Sequence, residues 1–182
     1  FFKPVFAHDR NGKNGDPKSK IDAFCDAVES GLGNSVDMAG FKFCYVDFKK
    51  GTDVNDVFQY YKFKMKALQL KYPNLQIVHF TVPLRSLQKG PKGFINKILG
   101  REIGVTDNAV RQKFNDLLLN EFKGQLVFDI AQFESTFPDG SRCYTTVAGD
   151  KIFSMVPAYT YDSGHLSKKG KYIVSAHLLT FL

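Results

Sequence analysis

The 182 residues of the chain are enough for one domain with a hydrophobic core, and too few for two domains of ordinary size. Hydrophobic residues make up 43% of the sequence and charged residues 24%, which is typical of a globular protein and excludes a disordered or coiled-coil chain. Neither a membrane span nor a nucleic-acid partner is expected, because no apolar run approaches the roughly 20 residues that cross a bilayer and no nucleic-acid-binding motif accompanies the formal charge of +7.

Strands and helices are predicted to alternate along the first half of the chain. A short apolar run predicts a strand at residues 4–7, followed by a glycine-rich loop that ends at Asp16, the predicted N-cap of a helix. Alternating apolar residues predict a strand at 39–46, and apolar residues three and four apart predict a helix at 53–72. A continuous apolar run predicts a buried strand at 75–83.

The alternation continues in the second half. A loop rich in glycine and lysine spans 85–104, and its length makes it a candidate for the rim of a binding site. Thr106 or Asp107 is the predicted cap of the next helix, and residues 126–131 predict a short buried strand. The stretch 134–161 is predicted to be irregular.

The last predicted element is a helix capped by Ser167. Four residues are predicted to form its inward face: Tyr172, Ile173, Ala176 and Leu179. The complete order predicts an α/β fold with parallel strands, right-handed crossovers and helices on both faces of the sheet. Ligands of such sheets bind at the carboxyl ends of the strands, so residues that follow strands are the first candidates for a site.

The clearest candidate pair is an aspartate followed three residues later by a histidine, Asp162 and His165. The surrounding segment, from Tyr159 to Gly170, reads YTYDSGHLSKKG and directly precedes the capped helix at the end of the chain. This segment resembles the final block of the SGNH (GDSL-type) hydrolases. The strand that ends at Pro83, the helix that contains Arg111 and the strand at 126–131 also fall in the order that this family uses.

The resemblance implies a flavodoxin-like three-layer αβα sandwich with a mainly parallel sheet, formed as a single SGNH hydrolase-like domain over residues 1–182. It implies hydrolysis of a small-molecule or carbohydrate ester by a serine nucleophile, with no cofactor. His165 would be the general base, and Asp162 would hold the imidazole in the tautomer that accepts the serine proton.

Two blocks of the family pattern are missing. The nucleophile block would fall near residues 5–12, where Asp9 and Arg10 stand in place of a serine. The family's oxyanion-binding asparagine would fall at Val46, whose side chain cannot donate a hydrogen bond.

Residues around these gaps could supply the missing donors. Asn14, with Gly12 beside it, offers amide and backbone donors, and Asp47 ends a predicted strand, so these three are candidate oxyanion or substrate-binding residues. The alternative for Asn14 is a plain turn that caps the following helix.

Two explanations of the missing serine remain open. The nucleophile-bearing strand lies upstream of Phe1, so that the chain as given lacks an N-terminal strand, or the domain is a non-catalytic ligand- or glycan-binding module on the same fold. A first residue other than Met indicates an upstream segment, and removal of such a segment would fit a secreted or periplasmic protein. The sequence leaves the location and the oligomeric state open.

Metal chemistry is not expected. The cysteines Cys25, Cys44 and Cys143 are unclustered, and no pair of histidines or acidic residues has metal-ligand spacing. His79, inside an apolar strand, and His177, on a helix, are predicted to be packed, hydrogen-bonded histidines.

Overall fold

The computed structural model describes residues 11–87 and 104–182, so the predicted strand at 4–7 and most of the predicted loop at 85–104 lie outside the described residues. Helices and strands alternate in this part of the chain. In order they are α1 (Pro17–Glu29), β1 (Met38–Phe41), α2 (Val54–Lys71), β2 (Gln76–Phe80), α3 (Val105–Glu121), β3 (Val127–Phe128), α4 (Ile130–Glu134), β4 (Tyr144–Val147), β5 (Asp150–Phe153) and α5 (Lys168–Phe181). Three single turns of 3-10 helix are also present, at Leu32–Asn34, Tyr45–Asp47 and Pro157–Tyr159.

The central sheet is parallel and has the strand order β1-β2-β3. Gly40 pairs with Val78, and Phe80 pairs with Phe128. Helices pack on both faces of the sheet. The predicted α/β class, a three-layer sandwich around a parallel sheet, is therefore confirmed.

Side chains of β2 alternate between the two faces. Ile77 belongs to the larger core, beneath α1, α2 and α3, while Val78 belongs to a second core that includes residues of α4 and α5. Both faces of β2 are buried, which explains why the sequence of this strand is almost continuously apolar.

The capping residues predicted for α1 and α5 are confirmed. The Asp16 carboxylate accepts a hydrogen bond from the backbone N–H of Ser19 at 3.1 Å, and the Ser167 hydroxyl accepts one from Gly170 at 3.3 Å. α2 also begins as predicted, after Asp53, whose carboxylate accepts from Asp56 at 3.1 Å.

All three strands of the sheet end earlier than predicted, and β2 ends at Phe80 instead of residue 83. β1 ends at Phe41, and the chain then turns through Tyr45–Asp47, because the Asp47 carboxylate accepts the backbone N–H of Cys44 at 2.7 Å. β3 ends at Phe128, since Asp129 caps α4. After β1 and after β3, residues that were predicted as strand therefore form a helical turn stabilised by an aspartate.

The predicted cap of α3 is wrong. The helix begins at Val105, preceded by Gly104 with a φ of 92°, which is a conformation that glycine adopts without strain. Asp107 lies within the first turn, and its carboxylate accepts the backbone N–H of Lys50 at 2.8 Å.

The stretch predicted to be irregular contains a hairpin. β4 and β5 pair antiparallel through a two-residue turn at Ala148 and Gly149, whose φ angles of 50° and 94° are typical of a type I′ turn. The hairpin packs on α3, where the Gln112 side chain accepts from Phe153 N–H and donates to the Lys151 carbonyl, each at 3.1 Å.

The inward face predicted for α5 is largely wrong. Tyr172, Ala176 and Leu179 are exposed. The residues that pack against the cores are Ile173, Val174, Leu178 and Phe181. No helix in the described ranges is long and apolar enough to span a bilayer.

The prediction that His79 is a packed histidine is confirmed. Its ring stacks on Phe122 at 3.8 Å, and its Nδ1 lies 2.7 Å from the Tyr61 hydroxyl. Burial lowers the pKa of His79 to about 4, so the ring is neutral at pH 7. The same prediction is wrong for His177, which is exposed on α5, although its ring stacks on Phe133 at 4.1 Å.

A buried carboxyl group in α4 should make the stability depend on pH. Glu134 is 2% exposed and accepts the backbone N–H of Leu84 at 2.9 Å, and burial raises its pKa from 4.5 to about 8. A raised pKa means that the folded state binds the proton more tightly. The contribution to stability is therefore complete below pH 4.5 and is lost as the pH rises to about 8.

We expect urea unfolding of the protein to show a free energy of unfolding that falls by a few kcal/mol between pH 5 and pH 9. Glu134→Gln should flatten this dependence, because the amide has no proton to lose. An equal slope in both proteins would contradict the assignment.

Candidate functional site

Asp162 and His165 lie in a short loop that leads into α5. The loop is closed by an antiparallel bridge between Thr160 and Leu166. It is held to the chain that follows β2 by a hydrogen bond, in which the backbone N–H of Ser86 donates to the Ser163 carbonyl at 2.9 Å. The pair therefore lies on the side of the sheet where the parallel strands have their carboxyl ends.

The Asp162 carboxylate organises this loop. One oxygen accepts the backbone N–H groups of Gly164 at 2.9 Å and His165 at 2.7 Å, and the other lies 2.5 Å from Nδ1 of His165. The backbone hydrogen bond from His165, followed by the one from its ring, lowers the pKa of Asp162 well below the usual range of aspartate. The carboxylate is therefore ionised at neutral pH.

An ionised carboxylate can only accept hydrogen bonds, so it fixes the neutral tautomer of His165. Nδ1 carries the proton and donates to Asp162, which leaves the lone pair on Nε2. The side chains are 59% exposed for His165 and 40% for Asp162, so Nε2 is accessible from solvent. This arrangement can accept a proton from a hydroxyl group placed beside Nε2.

Two tyrosine rings flank the histidine. Tyr161 stacks on the His165 ring with a centroid distance of 6.0 Å, and Tyr45 meets it edge-on at 5.7 Å. Gly164 packs so closely on Tyr45 that a Cβ at this position would lie 2.6 Å from the ring. A glycine is therefore required where the loop passes the tyrosine.

A polar pocket lies on the other side of Tyr45. Its volume is about 340 Å³, and its lining residues are Asn14, Gly15, Tyr45, Val46, Lys49, Arg85, Asp107 and Arg111. The guanidinium carbons of two arginines lie over the Tyr45 ring, at 5.3 Å for Arg85 and 5.9 Å for Arg111. One side chain thus contacts both the histidine and the pocket.

Arg111 is held rigidly in the pocket wall. It is 1% exposed, and it donates to the Tyr45 carbonyl at 2.8 Å and to the Asn108 side chain at 2.6 Å. Asn108 in turn pairs with both the backbone N–H and the carbonyl of Arg85, at 3.0 and 2.8 Å. Burial lowers the pKa of Arg111 to about 10, which still leaves the guanidinium charged at pH 7.

The three residues predicted near the oxyanion site lie around α1, and one of them reaches the pocket. Asn14 lines it, with its Oδ1 accepting from Lys20 Nζ at 2.7 Å. Gly12 packs against the backbone of Lys20, where a Cβ would lie 2.6 Å from the Lys20 Cα. The Asp47 carboxylate is buried behind the pocket and accepts the backbone N–H of Gly15 at 2.7 Å.

The sequence did not single out Tyr45, Lys49 or Arg85. Arg111 carried a signal, because it falls on the same helical face as Phe114 and Leu118, where an apolar residue is expected. A charged residue on a buried stripe needs fixed partners, and this one has them. In the described ranges, no three His, Cys, Asp or Glu side chains are grouped so that they could hold a metal ion.

The chain is similar to a solved structure from Streptococcus pneumoniae that is provisionally described as a platelet activating factor. The TM-score is 0.57 and the identity 18%, over 88% of this chain and 67% of that chain. No family model matches the sequence, and no curated protein matches it. At this identity the similarity shows a shared α/β fold.

The loop holding the pair contains a strained residue. Ser163 has a φ of 74°, in the left-handed region that side chains with a Cβ disfavour. We expect Ser163→Gly to raise the free energy of unfolding by up to about 1 kcal/mol, measured by urea titration. Ser175→Gly, at an exposed position inside α5, should lower it by about 0.5 kcal/mol. Destabilisation by both changes would contradict the strain at Ser163.

Proposed function

We propose that the protein is an SGNH-type ester hydrolase in which His165 is the general base and Asp162 holds its ring. The observation that carries the proposal is the 2.5 Å contact between the Asp162 carboxylate and Nδ1 of an exposed histidine. The α/β fold, shared with the Streptococcus pneumoniae protein, supports it at the level of architecture only. The chain would form one catalytic domain that acts on a small-molecule or carbohydrate ester.

The proposed reaction follows the general pattern of serine esterases. Nε2 of His165 removes the proton of a serine hydroxyl as its oxygen attacks the ester carbon, and the resulting imidazolium is stabilised by the Asp162 carboxylate. The histidine then gives this proton to the leaving alcohol, which leaves an acyl-enzyme. A water molecule, activated by the same histidine, releases the acid and restores the serine.

The serine itself is proposed to come from sequence beyond the 182 residues. Residues 1–10 and 88–103 contain no serine. In the part of the chain that the structure describes, the ring of His165 hydrogen-bonds to Asp162 and to no hydroxyl group. The same observation favours a second candidate, a non-catalytic ligand- or glycan-binding domain on this fold.

Labelling of the full-length protein with a fluorophosphonate, which reacts with activated serines, tests the proposal. We expect the wild-type protein and His177→Asn to be labelled, and His165→Asn to lose the label. His177 is the matched control, because it is another exposed histidine with a ring stacked on an aromatic residue. Absence of labelling in the wild type, or labelling that does not depend on His165, would favour the binding domain.

A further inference from the structure

We propose that the pocket beside Tyr45 is an anion subsite, and that the ester hydrolysed at His165 carries a negatively charged carboxylate or phosphate group that Arg85, Arg111 and Lys49 bind. This inference rests on the proposed function in one respect, namely that the bound anion is part of a substrate. The binding of an anion in the pocket does not depend on catalysis.

The charge of the pocket is the first support. Three cationic side chains line it, Lys49, Arg85 and Arg111, against a single carboxylate, Asp107. That carboxylate is partly engaged elsewhere, because one of its oxygens accepts the backbone N–H of Lys50. The pocket is thus positive, and its walls exclude part of the solvent that would screen an anion.

Unused hydrogen-bond donors are the second support. Arg111 uses Nε and one Nη for the Tyr45 carbonyl and Asn108, while its other Nη lies 3.8 Å from Asp107, beyond hydrogen-bond distance. Within residues 11–87 and 104–182, Nε of Arg85 is buried without a hydrogen-bond partner. Guanidinium groups with free N–H donors match the planar oxygens of carboxylate and phosphate.

The position of the pocket is the third support. The Tyr45 ring lies 5.3 Å from the Arg85 guanidinium and 5.7 Å from the His165 ring. A ligand whose charged group sits over Arg85 therefore extends past one aromatic ring to reach the histidine. The volume of about 340 Å³ is at the lower end of small-molecule sites, which span roughly 300–1,000 Å³.

Hydrogen bonds of the Asn108 side chain preorganise part of this subsite. Asn108 fixes the main chain of Arg85 and the side chain of Arg111, so a single residue of α3 positions the backbone of the first arginine and the guanidinium of the second. Donors that are already in position lose little conformational freedom when an anion binds. Arg111 itself is a poor test position, because its substitution would leave the Tyr45 carbonyl and the buried Asn108 side chain without their donor.

Binding is tested by titrating the full-length protein with inorganic phosphate and, separately, with succinate, followed by NMR at constant ionic strength. We expect saturable shifts at Arg85 and Tyr45 with at least one anion, and a Kd about tenfold weaker in Arg85→Gln, which loses a charge-assisted hydrogen bond. Lys50→Gln is the matched control, since it removes the same charge next to Lys49 from a side chain outside the pocket lining. The preferred anion distinguishes a phosphate from a carboxylate substrate. No saturable binding, or equal weakening in Lys50→Gln and Arg85→Gln, would overturn the subsite.

Hydrolysis provides the second readout. The ratio of kcat/KM for mono-p-nitrophenyl succinate to that for p-nitrophenyl acetate should fall about tenfold in Arg85→Gln and stay constant in Lys50→Gln. An unchanged ratio in Arg85→Gln would contradict the role of the subsite in substrate choice. If neither ester is cleaved while the anions still bind, the proposed function fails and the anion site stands.

Discussion

Asp162→Asn is expected to lower kcat for ester hydrolysis by a factor on the order of 10³–10⁴. The asparagine oxygen can still accept the backbone N–H groups of Gly164 and His165, so the loop should keep its shape. The amide, however, donates a hydrogen bond toward Nδ1. The ring then carries its proton on Nε2, where it can no longer accept one from a serine.

Steady-state kinetics of the full-length protein with p-nitrophenyl acetate measure this effect. KM should change little, because Asp162 acts through His165 and does not touch the substrate. Asp139→Asn is the matched control: Asp139 is another exposed aspartate that accepts a backbone N–H from its own turn, that of Ser141 at 2.9 Å. If Asp162→Asn retained most of the wild-type kcat, the result would contradict the role of His165 as general base.

The sequence predicted those parts of the fold that local interactions decide. Asp16 and Ser167 cap helices through bonds to residues three positions away, so their roles are visible in the sequence. The same holds for Asp162 and His165, whose spacing suffices to close the loop. Their geometry agrees with the predicted pair, while their catalytic role stays a prediction.

The elements that the sequence missed depend on contacts between distant residues. The predicted strand at 39–46 is cut short by the turn that Asp47 stabilises, and that carboxylate is fixed by Gly15 and Lys20 of an earlier segment. The pocket brings together Tyr45, Arg85 and Arg111, which lie far apart in the chain. No local pattern could have placed them side by side.

Two of the wrong predictions, those for the 134–161 stretch and for the inward face of α5, could have been avoided from the sequence. The hairpin at β4 and β5 has β-branched and aromatic residues on either side of its turn, and Gly149 supplies one of the two positive φ angles that the turn requires. In α5 the apolar residues support more than one inward stripe. Val174 is partly buried because β3 and α4 present apolar side chains to it, and Ile173 packs against a separate cluster that includes Tyr159.

Asp47→Ala is expected to lower the free energy of unfolding by about 3–5 kcal/mol, because it leaves the buried ammonium group of Lys20 without its counter-ion. The Asp47 side chain is 0% exposed and lies 2.8 Å from Lys20 Nζ. Its two oxygens also accept the backbone N–H groups of Gly15 and Cys44, each at 2.7 Å. The substitution therefore removes hydrogen bonds that hold both the loop before α1, at Gly15, and the turn at Tyr45–Asp47. Urea unfolding measures the loss of stability.

Two further variants separate a structural role of Asp47 from the predicted substrate-binding one. Combining Lys20→Met with Asp47→Leu removes both charges and should restore part of the lost stability, since a buried ion pair replaced by apolar groups often costs little. Asp56→Ala, which breaks the exposed Lys18–Asp56 pair at 2.8 Å, should have a much smaller effect on the free energy of unfolding. If Asp47→Ala instead kept the wild-type stability and weakened only substrate binding, the carboxylate would belong to the substrate site. The buried bonds to Lys20, Gly15 and Cys44 argue for the structural role, in which Asp47 supports the pocket from behind.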